Sequence, residues 1–382
     1  MFQGIRLCSI FPEDGRERDA NMTTPETRFL QDILRQPAEM KRAIEYLTGP
    51  GQDALREARS LIHSARDLII TGIGASWHAA LRASAKFYLD VHPVYTQEAG
   101  ELLHFASIPP KSVVVAISRT GRSIEIVQLL AKANASGASI IGITNCADSP
   151  LAKASTVAIV VPTVLDHAIS VATYSTLSIA ASALASPHHA GFESVASSLI
   201  RTIGDAEQQL KPWQQQLNES SWLGTGMPYY FLARGPSLGT CHQARLLWEE
   251  GVKTPATAMS TSSFRHGPQE IVTQGMRFCI WIDQSKMRDQ DLAVAHDLTE
   301  LGASVMLIGE RLPRNAADLV CELPRSPLHW QSVIDILPIQ LAAERLSRIS
   351  GVDCDSFRLC SYVVEDEHGL LGKKAEVFPN GD

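Results

Sequence analysis

Short aliphatic runs alternate with longer segments of helical periodicity along most of this chain. Three runs rich in valine and isoleucine lie in the first half, at 112–118, 139–144 and 157–162. Between the first two, residues 122–137 have the pattern of an amphipathic helix that ends at Gly137. Continuous apolar runs of this length are typical of strands buried on both faces of a parallel sheet. The pattern therefore predicts an α/β fold in which helices cover the sheet.

The second half of the chain repeats this plan. Residues 67–90 and 229–250 each have an apolar run, a glycine turn, a small or hydroxyl residue and then a helical segment. A helix is also expected over 289–301, ending at Gly302. The further strand-like runs of this half are at 277–283, 304–309 and 319–323. We therefore predict two tandem doubly wound α/β domains, each built on a parallel sheet.

The segments between these repeats set the predicted boundaries. The units are a disordered N-terminus (1–22), a helical lead-in (23–60), the first domain (61–190), a helical linker (191–222), the second domain (223–350) and a C-terminal tail (351–382). Translation that starts at Met22 is an alternative explanation for the irregular first residues. Pro37 is expected to break the lead-in into two helices, and a pair of helices is expected in the linker.

Composition and charge limit the classes of function. The net charge is −7, so no basic surface favours nucleic acid as a partner. Seven cysteines are scattered without a C-x-x-C pair, which favours reduced thiols in a cytoplasmic protein. No run approaches the ~18 apolar residues of a membrane span. No cluster has metal-ligand spacing, and His188-His189 is interpreted as an exposed part of the linker, so neither a metal nor another cofactor is expected.

Two loops after predicted strands of the first domain are candidate anion sites. In the first loop, Gly74 and Ser76 lie where a buried strand gives way to a helix N-terminus, which attracts anions. In the second loop, "SRTGRS", three hydroxyls surround a glycine beside two arginines, which suits a phosphate. These hydroxyls belong to Ser118, Thr120 and Ser123. A plain connecting turn and a helix cap remain the alternative interpretations.

A third stretch, 169–176, contains small and hydroxyl residues such as Thr173 at the start of a helix. Taken alone, this pattern indicates tight helix packing as readily as ligand binding.

Glu250 and His266 are the candidates for proton transfer in the second domain. Glu250 ends the first helix predicted there, and His266 lies in the turn "FRHGP", which glycine and proline stiffen. Histidine has an unperturbed pKa of about 6.5 and so gives and takes protons near neutrality. A partly buried glutamate is a competent base. A solvated glutamate and a surface histidine are the alternatives.

Together these stretches resemble the SIS (sugar isomerase) family, over most of residues 40–350. The family's "GTS" turn corresponds to Gly74-Ala75-Ser76, its "SQSGET" phosphate loop to "SRTGRS", and its "VAST" segment to "VATY" with Thr173. Its catalytic glutamate and its "HGP" histidine correspond to Glu250 and His266. The resemblance implies two tandem flavodoxin-like SIS domains and an enzyme that acts on a phosphosugar.

The resemblance also implies a role for each candidate residue. Glu250 would move a proton between C1 and C2 of the sugar, and His266 would assist ring opening. In this family the histidine often reaches the active site of the neighbouring subunit, which implies a homodimer. The implied substrate-binding residues are Gly74, Ser76, Ser118, Thr120, Ser123 and Thr173.

Departures from the family pattern leave the reaction open. Leu247 stands where the family's synthases have a lysine, and Tyr362 stands where they have the lysine that forms a Schiff base. The nearest later lysines are Lys373 and Lys374. The chain shows no glutaminase segment, which disfavours glutamine-dependent synthesis. We expect isomerisation of an amino-sugar or hexose 6-phosphate, with or without deamination. A fructosamine-6-phosphate deglycase and a non-catalytic sugar-phosphate sensor are the alternatives.

Overall fold

The computed structural model describes residues 26–89, 93–185, 191–367 and 369–370. The expectations for residues 1–22, for His188-His189 and for Lys373 and Lys374 fall outside this part of the chain. Twelve α-helices lie within it: α1 (Arg28–Thr48), α2 (Gln52–Ser64), α3 (Ala75–Leu89), α4 (Ala99–Phe105), α5 (Ile124–Ser136), α6 (Pro150–Ala154), α7 (Ala172–Leu184), α8 (Phe192–Glu219), α9 (Ser237–Leu247), α10 (Thr261–Phe264), α11 (Arg288–Glu300) and α12 (Leu337–Ile349).

The first sheet has the strand order β2-β1-β3-β4-β5, and its pairings are all parallel. Its strands are β1 (Leu68–Thr71), β2 (Tyr95–Thr96), β3 (Val113–Ile117), β4 (Ser139–Thr144) and β5 (Val157–Val160). All five residues of β3 are buried, as expected for a valine-rich strand that is covered on both faces. The order reverses between β1 and β3, and α/β folds bind their ligands at such a point.

The second sheet has the order β10-β9-β8-β6-β7 and is also parallel throughout. Its strands are β6 (Tyr229–Ala233), β7 (Ala256–Ser260), β8 (Arg277–Trp281), β9 (Ser304–Gly309) and β10 (Leu319–Glu322). The predicted α/β fold with two parallel sheets is therefore confirmed. The residue boundaries proposed for the domains stay a prediction.

Two expectations about helices were wrong. Helix α1 runs unbroken through Pro37, and α8 is a single helix that contains Pro212. A proline inside a helix costs about 3 kcal/mol. Burying one large aliphatic side chain contributes about 1.5–3 kcal/mol, and α1 buries Ile33, Met40 and Ile44 completely where it packs between α7 and α8. Tertiary packing therefore outweighs the lost hydrogen bond.

One of the hydrophobic clusters formed by the described residues joins the two sheets. It includes residues of α1, α3, α7, α8, α9 and α12 together with strands from both sheets. Helices α3 and α9 approach so closely that a Cβ on Gly239 would lie 2.6 Å from the carbonyl oxygen of His78. This contact fixes the carboxyl end of the first sheet relative to the helix that leads to Glu250.

None of the helices in the described residues is long and apolar enough to cross a membrane.

Candidate active site

Most of the candidate residues line one cavity, which has a volume of about 190 Å³. It lies at the carboxyl ends of β1 and β3, which are neighbours in the first sheet. Glu250 enters from the second half of the chain, and residues 357 and 360–364 form another wall. The candidate residues in its lining are Gly74, Ser76, Ser118, Thr120, Ser123 and Glu250.

The turn after β1 is tight because two glycines allow it. Gly74 has a φ of +57°, in the left-handed region that favours glycine. A Cβ on Gly72 would lie 2.6 Å from the backbone oxygen of Ser76, so the strand passes directly against the first turn of α3. The buried Ser76 side chain is thereby held at the cavity wall.

The loop after β3 presents three hydroxyls to the cavity. The N–H of Gly121 donates to Ser118 Oγ over 3.1 Å, and the N–H of Arg122 donates to Thr120 Oγ1 over 3.3 Å. The hydroxyls of Ser118 and Thr120 act as acceptors there, and each keeps its own proton to donate to an anion. Ser123 is the N-cap residue of α5, whose N-terminus also favours negative charge.

Glu250 lies on a turn that the sequence did not indicate. Helix α9 ends at Leu247 and continues into a π-helical turn, Trp248–Val252. Such turns are rare, and functional sites often contain them, because the wider turn redirects side chains. Burial raises the pKa of Glu250 to about 7, Arg119 and Lys253 oppose this rise, and Glu249 adds to it. Glu250 can therefore gain or lose a proton near neutrality.

Arg119 and Tyr362 are site residues whose roles the sequence did not indicate. The Arg119 guanidinium donates to Tyr362 O over 2.8 Å and to Ser170 Oγ over 3.1 Å, and it lies 3.9 Å from the centre of the Tyr362 ring. The Tyr362 hydroxyl donates to Asp166 O over 3.1 Å. The arginine beside the hydroxyls of "SRTGRS" was the available signal for Arg119, whereas the packing of Tyr362 depends on contacts distant in sequence.

Two candidate residues do not line this cavity. The Thr173 hydroxyl donates to Asp166 Oδ2 over 2.5 Å, and the same carboxylate accepts the backbone N–H groups of residues 171–173. Thr173 thus helps to fix the start of α7. His266 is exposed in the turn that follows α10. The functional roles of Thr173 and His266 stay predictions.

Within the described residues, no group of three or more His, Cys, Asp or Glu side chains could hold a metal ion.

Comparison with known proteins gives one family match, over residues 61–186, to the SIS domain. The glutamine–fructose-6-phosphate aminotransferase (isomerizing) of Pyrococcus horikoshii is 25% identical over 343 residues, which cover 86% of this chain and 56% of the relative. The enzyme of the same name from Thermococcus kodakarensis is 23% identical with the same coverage. The chain thus spans about half the length of the curated relatives it matches.

Solved structures share the fold over nearly the whole chain. A glucosamine-6-phosphate deaminase from Thermotoga maritima aligns with a TM-score of 0.72 and 21% identity, covering 88% of this chain and 99% of its own. A tagatose-6-phosphate ketose/aldose isomerase from Escherichia coli aligns with a TM-score of 0.75 and 17% identity, covering 87% and 96%. At these identities the likeness concerns the fold, which matches two tandem SIS domains.

Proposed function

Because residues 61–186 of this chain are a SIS domain, we propose that the protein is an aldose–ketose isomerase, with or without deaminase activity, for a hexose or amino-sugar 6-phosphate. One observation carries the proposal: Glu250, with a pKa near 7, shares a cavity with the hydroxyl loop after β3. The relatives named as isomerising aminotransferases and the solved isomerases and deaminases support the same chemistry.

The phosphate would be held by the hydroxyls of the first sheet. Ser118, Thr120 and Ser123 line one side of the cavity and can each donate a hydrogen bond to a dianion. Ser76 adds a fourth hydroxyl from the turn after β1. The phosphate on C6 would then lie at the hydroxyl loop, and the other end of the sugar, with C1 and C2, would reach Glu250.

Glu250 would carry the proton between the two reacting carbons. As a carboxylate it removes a proton from the carbon beside the carbonyl group, which leaves an enediolate. A proton then passes from the neighbouring hydroxyl oxygen to the former carbonyl oxygen, and Glu250 returns its own proton to the former carbonyl carbon. A group that serves as base and then as acid works best with a pKa near the working pH. The pKa of about 7 meets this requirement.

His266 would assist ring opening from a second copy of the chain. Its exposed position in the turn after α10 leaves it outside the cavity of its own chain and available to another. The proposal therefore includes a homodimer in which each His266 completes the partner's site.

Hydrogen exchange in D₂O tests the proposal directly. The protein would be incubated in turn with fructose, glucosamine and galactosamine 6-phosphates, and proton NMR would follow deuterium entering at C1 or C2. We expect exchange with at least one compound, and free ammonia would report deamination. Glu250→Gln should abolish exchange and keep binding of the sugar phosphate. The control Glu300→Gln changes an exposed glutamate at the end of α11 and should keep full activity.

Binding without exchange for every compound would contradict the enzymatic proposal and favour a sensor of sugar phosphates.

A further inference from the structure

The turn that carries His266 follows a helix too short to be stable by itself. This helix, α10, has four residues, Thr261–Phe264, far fewer than the ~12 that an isolated helix needs in water. The N–H of His266 donates to Ser263 O over 3.1 Å, so the turn takes its position from α10. The contacts that α10 makes with other elements therefore decide where His266 lies.

One face of α10 is anchored in the hydrophobic core. Phe264 is buried, and its ring meets Phe278 edge-on with the ring centres 5.5 Å apart and lies 6.3 Å from the ring of Tyr230. The Thr261 hydroxyl donates to Ala233 O over 3.4 Å. Thr261 and Phe264 are three positions apart and so lie on the same face of the helix. These contacts hold one side of the turn and leave the other side to be fixed by a different group.

Arg234 holds the other side of α10. Ser262 is two positions before Phe264, which places it about 200° away around the helix. Nη1 of Arg234 donates to Ser262 Oγ, and Nε donates to Asp291 Oδ1 over 2.6 Å. The third nitrogen, Nη2, makes no hydrogen bond within the part of the chain that the structure describes. Arg234 therefore links α10 to α11 through two hydrogen bonds.

Asp291 gives Arg234 a fixed base. The Asp291 side chain is fully buried, and that of Arg234 is only 12% exposed. The second carboxylate oxygen, Oδ2, accepts the N–H of Asp283 over 3.1 Å. Arg234 directly follows β6, and Asp283 lies two residues after β8. The ion pair therefore connects the carboxyl ends of two neighbouring strands to the helix that precedes His266.

We propose that Arg234, held by Asp291, is a positioning residue that fixes the turn of His266 for ring opening. This inference rests on the proposed function, in which His266 assists that step. Arg234 does not line the cavity that contains Glu250, so it acts through His266. Misplacement of a reacting group by 1 Å can reduce a rate about 100-fold, so the anchor should affect catalysis as well as stability.

Substrates with and without a ring separate positioning from stability. Fructose and tagatose 6-phosphates close their rings through the hydroxyl on C5, whereas their 5-deoxy analogues stay open. Exchange of the C1 protons in D₂O gives a kcat for each compound. A variant that misplaces His266 should have a lower kcat for the cyclic compounds and the parent kcat for the acyclic ones. A general loss of folded protein would lower both.

Ser262→Ala is the mildest test, because it removes one acceptor of Arg234 from an exposed position and leaves the ion pair intact. We expect a kcat about fivefold lower for the cyclic compounds, as for the loss of one hydrogen bond, and an unchanged kcat for the acyclic ones. Ser262→Thr keeps the hydroxyl and should keep the parent kcat for both.

A double variant removes the whole anchor. Arg234→Met combined with Asp291→Asn leaves no unpaired buried charge, and asparagine can still accept the N–H of Asp283. We expect a kcat at least about tenfold lower for the cyclic compounds and close to the parent value for the acyclic ones. His266→Ala should show the same selective loss.

Exchange of the backbone amide of His266 tests the anchor without catalysis. This N–H is bonded to Ser263 O, and it should exchange about tenfold faster in the double variant because α10 opens more often. Arg59→Gln is the control, since it breaks another partly buried ion pair, with Glu193, that joins α2 to α8. It should lower the Tm and leave both the amide exchange and the ratio of cyclic to acyclic kcat unchanged.

The outcomes separate the two proposals. An equal loss of kcat for cyclic and acyclic compounds, or the parent kcat for cyclic compounds in the double variant, would overturn the positioning role and leave the isomerase proposal standing. Unchanged amide exchange at His266 in the double variant would also overturn the positioning role. If the parent protein exchanged no protons of any of the four compounds, the proposed function would fail, and Arg234 would have no catalytic step to support.

Discussion

At the scale of single residues, the site depends on how one carboxyl group is kept titratable near neutral pH. Burial alone favours the protonated form of Glu250, and the positive charges of Arg119 and Lys253 draw its pKa back down. Arg119 suits this task because four contacts hold its planar guanidinium: the Tyr362 ring, Tyr362 O, Ser170 Oγ and Ala168 O. Its charge therefore stays at a fixed place beside the base.

Removal of the Arg119 charge should shift the pH dependence of activity upward. Arg119 lowers the pKa of Glu250, so Arg119→Gln should raise that pKa above its present value of about 7. The reactive form is the carboxylate, and the pH of half-maximal kcat should then increase by about half a unit or more. A pH–rate profile measures this. Arg122→Gln, an exposed arginine of the same loop, is the matched control. Equal midpoints for the Arg119 variant and the parent protein would show that Arg119 does not tune Glu250.

At the scale of elements, the turn from β1 into α3 depends on two glycines for different reasons. Gly72 needs the absence of a Cβ because the backbone of Ser76 lies against it. Gly74 needs its left-handed backbone, while a Cβ there would meet no atom within 4 Å. Gly72 is therefore required for steric reasons, and Gly74 is required for its backbone conformation.

Because the two glycines are required for different reasons, substitution by alanine should have different effects at Gly72 and at Gly74. Gly72→Ala should displace the first turn of α3 and with it Ser76, since backbone cannot move aside as a flexible side chain can. We expect a loss of stability of about 2–3 kcal/mol and weaker binding of inorganic phosphate. Gly74→Ala should lower the free energy of unfolding by about 1–2 kcal/mol, because alanine disfavours the left-handed backbone conformation. Thermal unfolding and calorimetric titration with phosphate would rank the two variants, and the reverse order would contradict the tight approach at Gly72.

The same elements show what the sequence could predict and what it could not. The strand at 139–144 and the end of α5 at Gly137 follow from local patterns, and so does the hydroxyl loop after β3. The π-helical turn around Glu250 has no local sequence signal. The continuity of α1 through Pro37 and the position of Tyr362 over Arg119 depend on packing between segments far apart in the chain. Sequence patterns therefore predicted the hydroxyl loop, while the wall formed by the tail required the structure.

At the scale of the whole molecule, the site exists because two halves of the chain meet. The hydroxyl loops belong to the first sheet, Glu250 follows α9 of the second half, and the tail closes one wall. Polar bonds cross this junction: His78 Nδ1 lies 2.9 Å from Gln243 Oε1, and Gln243 Nε2 donates to Ser170 O over 3.3 Å. The proposed role of His266 would add a second chain to the same site.

Mixed variants test whether His266 acts across a dimer. Glu250→Gln and His266→Ala should each be inactive alone. In a dimer of one chain of each kind, one site would combine an intact Glu250 with the partner's intact histidine. After dissociation and random reassociation, we expect about a quarter of the parent activity, since half of the dimers are mixed and each has one complete site of two. No recovery in dimers shown by mass to be mixed would place His266 within its own site or outside the chemistry.

The close approach of α3 and α9 can be tested separately from the chemistry. A Cβ at Gly239 would lie 2.6 Å from His78 O and 2.9 Å from Arg82 Cβ, so Gly239→Ala should force the helices apart and move Glu250 away from Ser76. Overpacking of this kind costs about 1–3 kcal/mol of stability, more than the 0.5–1 kcal/mol that alanine gains over glycine in a helix.

Gly204→Ala is the matched control, because Gly204 lies within α8 and a Cβ there meets no atom within 4 Å. We expect a lower Tm and lower kcat for Gly239→Ala, and an equal or higher Tm with parent activity for Gly204→Ala. A Gly239→Ala variant with a lower Tm and normal kcat would show that the helix contact stabilises the fold without setting the geometry of the site.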